Sequence, residues 1–280
     1  MQNLSSLRRR IGATDRLGSI VSSMKTLSSV SLGGYDRSAR ALDGYAKNVE
    51  SALGVVLRGR DVPGAGIKTR RTVALVIGSD QGLVGRFNRS LVEHFERYAA
   101  GRDAALLAAG RALVSRIATS REIDSTFAMP GSAKGIAGAV KKIILRLDAV
   151  VSPESELVVF HNKRRGSSFE CFTTRLLPVD AGLLSRIKSA PRRGRSVPVF
   201  TSGFELLFRH FLGELLFVGL YRAVSESLAA EHFIRMATMQ NARRNIDERL
   251  AEMRMEYQTR RQDDITSELI DVISGFSTAA

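Results

Sequence analysis

Residues Val73 to Gly85, VALVIGSDQGLVG, pass from an apolar strand through a glycine turn into a helical pattern. The chemistry such a turn can do is to hold a phosphate on backbone N–H groups at the start of a helix. A GxxxxGK loop also needs a lysine to reach the terminal phosphates, and this stretch has none. A dinucleotide fingerprint needs GxGxxG, whereas Gly78, Gly82 and Gly85 lie four and three apart. The next apolar run ends in Gly110-Arg111, without the acidic residue that would hold a ribose. The pattern therefore favours a structural turn in which Gly82 and Gly85 permit a tight path, and no cofactor is expected.

The remaining reactive side chains do not assemble a site. His94, His161, His210 and His232 are scattered, with neither HExxH nor paired i, i+4 spacing, so no metal is expected. Asp263-Asp264 imitates a carboxylate pair, but neighbours on a helix point about 100° apart. Cys171 is the single cysteine, which rules out an internal disulfide and suits a packed strand residue in a reducing compartment.

Charge points to an acidic partner: 42 Lys and Arg stand against 28 Asp and Glu. Residues 1–60 carry a net +6, residues 61–200 +11 and residues 201–280 −3, so the two ends are expected to attract one another. The clusters Arg8–Arg10, Lys163–Arg165 and Arg192–Arg195 are separated and lack interleaved aromatics. A basic nucleic-acid binder and a nucleotide-binding α/β enzyme stay open as alternatives on composition alone. No run approaches the roughly 20 apolar residues of a membrane span, and the start MQNLSSLRRRIG lacks a secretory apolar region. The chain is expected in the cytoplasm, at a membrane only through partners.

The elements that must carry these residues follow from the prolines, all six of which fall between Pro63 and Pro198. An internal proline costs a helix about 3 kcal/mol, so both flanks are free to form long helices. Leu4 to Leu57 has apolar residues spaced by threes and fours, with Gly33-Gly34 as a possible kink. From Glu205 to Ile273 the second flank holds Met239, Ile246 and Met253 seven apart, a coiled-coil seam. A helix of that length spans about 100 Å and needs a partner along it. Between them, Thr72–Gly78 and Ala104–Gly110 read as buried strands, each followed by a helix, Arg86–Tyr98 and Arg111–Ser120. A helix at Ser132–Ala149, a strand at Glu156–His161, a basic loop NKRRGSS and a strand at Phe169–Leu177 come next. Pro178 to Pro198 reads as an extended connection. The expected division is 1–60, 70–200 and 203–280.

These segments resemble the gamma subunit of the F-type ATP synthase. EHFIRMATMQNA (Glu231–Ala242) is similar to that family's SEHxxRMxAMxNA, and RRQDDITSELIDVISG (Arg260–Gly275) to its ARQxxITxELxEIxxG. SIVSSMKTLSS (Ser19–Ser29) resembles KITxAMKMVAA, GSDQGLVGRFN (Gly78–Asn88) resembles TSDRGLCGGLN, and TRLLPV (Thr174–Val179) echoes QLLPL. Val84, Arg86 and Ser28-Ser29 depart from the family's cysteine, glycine and alanines, as in a divergent member or one from an alternative rotary ATPase.

The resemblance implies an α/β fold in which N- and C-terminal helices form a long antiparallel coiled coil beside a central Rossmann-like domain that holds no nucleotide. It implies a non-catalytic rotor subunit of the central stalk, coupling ion flow to ATP synthesis or hydrolysis in a hexamer of alpha and beta subunits. An epsilon-like subunit and the c-ring are the other implied partners, nucleic acid is not one, and the location is the cytoplasmic face of a bacterial plasma membrane or an equivalent membrane. By matching position, Met24 with Arg235, and Lys25 beside them, are implied contacts near acidic loops of the beta subunits. Arg261, Gln262, Thr266 and Glu268 match the family's polar contacts between the upper shaft and the ring.

Overall fold

The computed structural model describes residues 4–60, 69–152, 154–191 and 200–278. Two helices frame the chain, α1 (Leu4–Leu57) and α6 (Phe204–Thr278). Free of proline, each runs unbroken, α1 passing straight through Gly33-Gly34. The chain forms two compact units, one of residues 1–28 with 236–280, the other Ser29–Arg235.

In the first unit the early part of α1 packs on the late part of α6. Leu7, Leu250 and Met253 are buried together, with Ile11, Ile246 and Tyr257 against them. Further along α1, Gly18 lies so close that a Cβ there would sit 3.2 Å from Ile246 and 2.6 Å from the Arg243 guanidinium. Arg243 also donates to Ser22 Oγ over 3.4 Å. Ascending α1 thus meets descending α6, the antiparallel pairing that the resemblance implies. The apolar stripe of α1 does not all face inward, however: Leu17 (55%), Ile20 (56%) and Leu27 (67%) are exposed, while Gly18 and Ser28 take buried positions. Leu17 lies about 100° around the helix from Gly18, so the apolar line runs beside the contact face rather than along it.

Two ion pairs between α1 and α6 run opposite to the net charges of their flanks. Asp15 meets Arg254 at 3.8 Å and Asp43 meets Arg222 at 2.9 Å, with the acid on α1 and the base on α6. Net charge sums over whole segments, whereas an ion pair depends on which residues face each other.

The second unit holds a five-stranded sheet in the order β3-β2-β1-β4-β5. Its strands are β1 (Arg71–Ile77), β2 (Ala104–Ala109), β3 (Ser125–Phe127), β4 (Ser155–Arg165) and β5 (Ser168–Leu177). The first four are parallel and β5 pairs antiparallel with β4. Covered on both faces, β1 is apolar from Val73 to Ile77, and alternate residues feed two cores. Val73, Leu75 and Ile77 face α4 (Ile136–Val150), Tyr35 of α1 and Leu220, Val224 and Leu228 of α6. Ala74 and Val76 face α2 (Phe87–Ala99) and α3 (Arg111–Ile117) through Leu91, Phe95, Leu113 and Ile117.

Three local expectations are corrected. NKRRGSS is mostly strand: β4 continues to Arg165, and only Gly166 (φ +58°) and Ser167 form the turn. Adjacent side chains on opposite faces anchor it, Asn162 donating to the Phe87 carbonyl (3.1 Å) and Lys163 to Glu226 (2.8 Å). Within Pro178–Pro198 lies a helix, α5 (Ala181–Ser189), whose Asp180 cap accepts from Leu183 N over 3.0 Å and whose Leu184 and Ile187 pack on Leu53 and Leu57. Residues 192–199 of that stretch, with Arg192–Arg195, fall outside the described residues. β3, three residues at the sheet edge, has no sequence signature of its own.

Candidate functional site

The glycine turn follows β1 at the carboxyl ends of the parallel strands, where open α/β sheets hold ligands. Its polar groups are turned on the protein itself. The Ser79 amide donates to Asn88 Oδ1 (3.0 Å), and Asn88 Nδ2 donates to Ser79 Oγ (2.8 Å). Asp80 Oδ1 accepts from the amides of both Arg111 and Met129 at 3.0 Å, and its other oxygen meets the Arg111 guanidinium at 3.3 Å. Asp80 therefore ties together the loops after β1, β2 and β3. Its carboxylate occupies the amides that a phosphate would need and repels an anion arriving there.

The glycines are used differently from the expectation. Gly85 has φ +57°, a left-handed turn position, but Gly82 has open space around it and no such φ, so nothing there demands glycine. The steric constraint sits at Gly78 and Gly110. A Cβ on Gly78 would lie 2.7 Å from Asn88 Oδ1 and 2.8 Å from Leu113 Cβ. Gly110, at φ +110°, would place a Cβ 2.7 Å from the Ser79 carbonyl oxygen. Gly110 was legible only as the end of an apolar run.

A cleft of about 510 Å³ opens beside Asp80, between Arg111, Met129–Gly131 and the α6 residues Leu228, Glu231, His232 and Arg235. Glu231 and Arg235 form an ion pair one helical turn apart, both side chains 5% exposed. Burial drives the Glu231 carboxyl up to about 7 despite the arginine, and Asp80 adds to the rise. Burial pulls His232 down to about 4, helped by Arg235. Tyr35 lies against the His232 ring, donates to the Pro130 carbonyl (3.3 Å) and is raised to about 12, chiefly by burial. Arg235 is thus an interior residue of the sheet-bearing unit, whereas matching position implies a surface contact. The i, i+4 acid-to-base spacing from Glu231 to Arg235 was the signal that would have found its partner.

Met24 and Lys25 are half-buried on α1 in the two-helix unit. Arg261, Gln262, Thr266 and Glu268 are exposed on α6, where Thr266 donates to the Gln262 carbonyl (2.8 Å). Around them Ile265, Leu269, Ile270, Val272 and Ile273 are uncovered as well, 47% to 67% exposed. Cys171 is half-buried on β5, its thiol pushed up by burial, in keeping with a packed strand residue. Among the described residues no group of His, Cys, Asp and Glu is placed to hold a metal.

The family model described as ATP synthase matches residues 3–278, nearly the whole chain. The chain belongs to this family. It is 26% identical to the ATP synthase gamma chain of Geotalea daltonii, covering 98% of both sequences, and 28% identical to that of Granulibacter bethesdensis, covering 98% and 99%. Its fold is that of a chain in the Euglena gracilis mitochondrial ATP synthase structure of OSCP, F1 and c-ring, with a TM-score of 0.65 at 14% identity over 98% of this chain and 94% of that one. A chain in the central stalk and c-ring structure of the Tetrahymena thermophila enzyme gives 0.59 at 19% identity, over 80% and 99%. In these ATP synthase relatives, as in this chain, long terminal helices accompany a parallel-dominated sheet.

Proposed function

We infer that this chain is the central-stalk rotor subunit of an F-type ATP synthase, the gamma subunit, coupling ion flow in the membrane sector to ATP synthesis or hydrolysis in an alpha/beta head. The observation that carries this reading is the two-helix unit, an antiparallel pair whose outer surface keeps apolar side chains uncovered. Leu17, Ile20 and Leu27, with Met24 on the same line, form a greasy track on α1, and Ile265 to Ile273 continue the apolar character near the end of α6. Monomeric proteins seldom leave such patches open, and a surrounding ring of subunits would cover them.

The chain contributes no catalysis of its own in this reading. Its unequal faces favour different conformations of the surrounding catalytic subunits, and turning exchanges them. Met24 and Lys25 touch acidic loops of the beta subunits, and Arg261, Gln262, Thr266 and Glu268 the upper ring. Exposed ion pairs contribute only about 0–1 kcal/mol each, which allows a contact to slide. Arg235, being buried, acts by positioning its segment of α6. The c-ring and an epsilon-like subunit complete the partners, and the chain sits at the cytoplasmic face of the plasma membrane through them; no helix among the described residues is long and apolar enough to cross a membrane.

The test is reconstitution with alpha and beta subunits. A stoichiometric complex whose ATP hydrolysis turns a bead fixed to the Gly166 hairpin is the expected result. Failure of the folded chain to co-purify with the head, or salt-sensitive DNA binding in its place, would overturn the reading.

A further inference from the structure

The cleft beside Asp80 contains a buried pair of opposite charges that the rotor reading does not use. Glu231 and Arg235 are on one face of α6, both 4% exposed, and Arg235 Nε has no hydrogen-bond partner within the described residues. Such a pair is held by mutual attraction against a desolvation penalty, so neutralising either member releases the other. The cleft gives it both a route for protons and a place to go. Across that cleft from α6 lies Asp80, whose carboxylate adds a small share to the rise that burial imposes on Glu231.

We propose that Glu231 and Arg235 form a proton-operated latch: the charged carboxylate holds Arg235 inside the unit, and a proton on Glu231 frees Arg235 to turn through the cleft toward Asp80. The groups that face the pair are Tyr35 from α1, Asp80 from the turn after β1, Arg111 from α3 and His232 from α6 itself. Asp80 Oδ1 is taken by the amides of Arg111 and Met129 and Oδ2 meets the Arg111 guanidinium at 3.3 Å, so the second lone pair of Oδ2 is the position left for another guanidinium as the Arg235–Glu231 contact dissolves. His232 stays neutral through the change, because Arg235 and burial both oppose its charging. Burial drives the Glu231 carboxyl up to about 7, so the change falls near neutral pH. The inference concerns the chain by itself and holds whether or not it turns inside a ring.

The test is NMR on the full chain carrying 13C at glutamate carboxyls and 15N at arginine side chains, the signals assigned with E231Q and R235K. The expected result is a Glu231 carboxyl titrating with a midpoint about pH 7. The Arg235 Nε signal should shift with that same midpoint in the wild type and stay fixed with pH in E231Q. Exchange of the Arg235 Nε proton with water should quicken on the acid side, against the slowing that acid imposes on an unrearranged guanidinium. A Glu231 midpoint below pH 5.5, or an Arg235 signal that ignores the Glu231 titration, would overturn the latch. Should E231Q not fold, the wild-type and R235K spectra decide it: only a shared midpoint in the wild type supports the proposal.

Discussion

Glu231 and His232 are neighbours in sequence with opposite responses to burial, and their signs can be separated. Glu231 is raised from 4.5 to about 7, so its contribution to stability is full below 4.5 and is lost as pH rises through about 7. His232 is lowered from 6.5 to about 4, so its contribution is full above 6.5 and is lost as pH falls through about 4. Between these limits they oppose each other and the wild type changes little. Urea unfolding of H232Q should lose about 1–3 kcal/mol between pH 5 and pH 8, and E231Q should gain stability over the same rise. Parallel profiles in the two variants would count against burial as the cause. Gly110→Ala should cost about 2–4 kcal/mol, through a left-handed φ and a Cβ driven against the Ser79 carbonyl, whereas Gly82→Ala should stay within about 0.5 kcal/mol of the wild type. Thermal unfolding of both variants measures the difference.

Among the elements, the two-helix unit depends on few buried contacts, and Met253 is central to them. Met253→Ala leaves Leu7 and Leu250 facing a cavity and should remove about 2–4 kcal/mol, seen as an early loss of helical circular dichroism. An unchanged melting profile would show that the seam is held elsewhere. The seam was legible because Met239, Ile246 and Met253 repeat every seven residues, and the strands because Val73–Ile77 and Ala104–Ala109 are unbroken apolar runs. The antiparallel partner and the unclad tip came from family register. What stayed hidden depended on contacts distant in sequence. The β4–β5 hairpin looked like a loop because Lys163, Arg164 and Arg165 are strand residues held by Glu226, Asp36 and Glu170. Helix α5 has only nine residues, and its Asp180 cap was overshadowed by flanking prolines. The Asp80 clamp joins residues 31 and 49 positions away, beyond any local pattern.

For the whole molecule, the proposed work is done by a surface. Met24, half-buried, lies on α1 in line with the exposed Ile20 and Leu27, where a lysine would put a fixed charge into a sliding apolar contact. Met24→Lys should leave assembly with the alpha and beta subunits intact yet reduce the ions pumped per ATP hydrolysed severalfold, since a contact that grips one position raises the barrier to the next. Proton pumping in membrane vesicles set against ATPase rate measures this, and an unaltered ratio would remove Met24 from the contact. The Asp80 clamp has a consequence at the same scale. Because Asp80 takes the amides of Arg111 and Met129 while Asn88 takes that of Ser79, rising or falling levels of cellular nucleotide find none of the three vacant to grasp. The stiffness of the transmission is then indifferent to the fuel it helps to make.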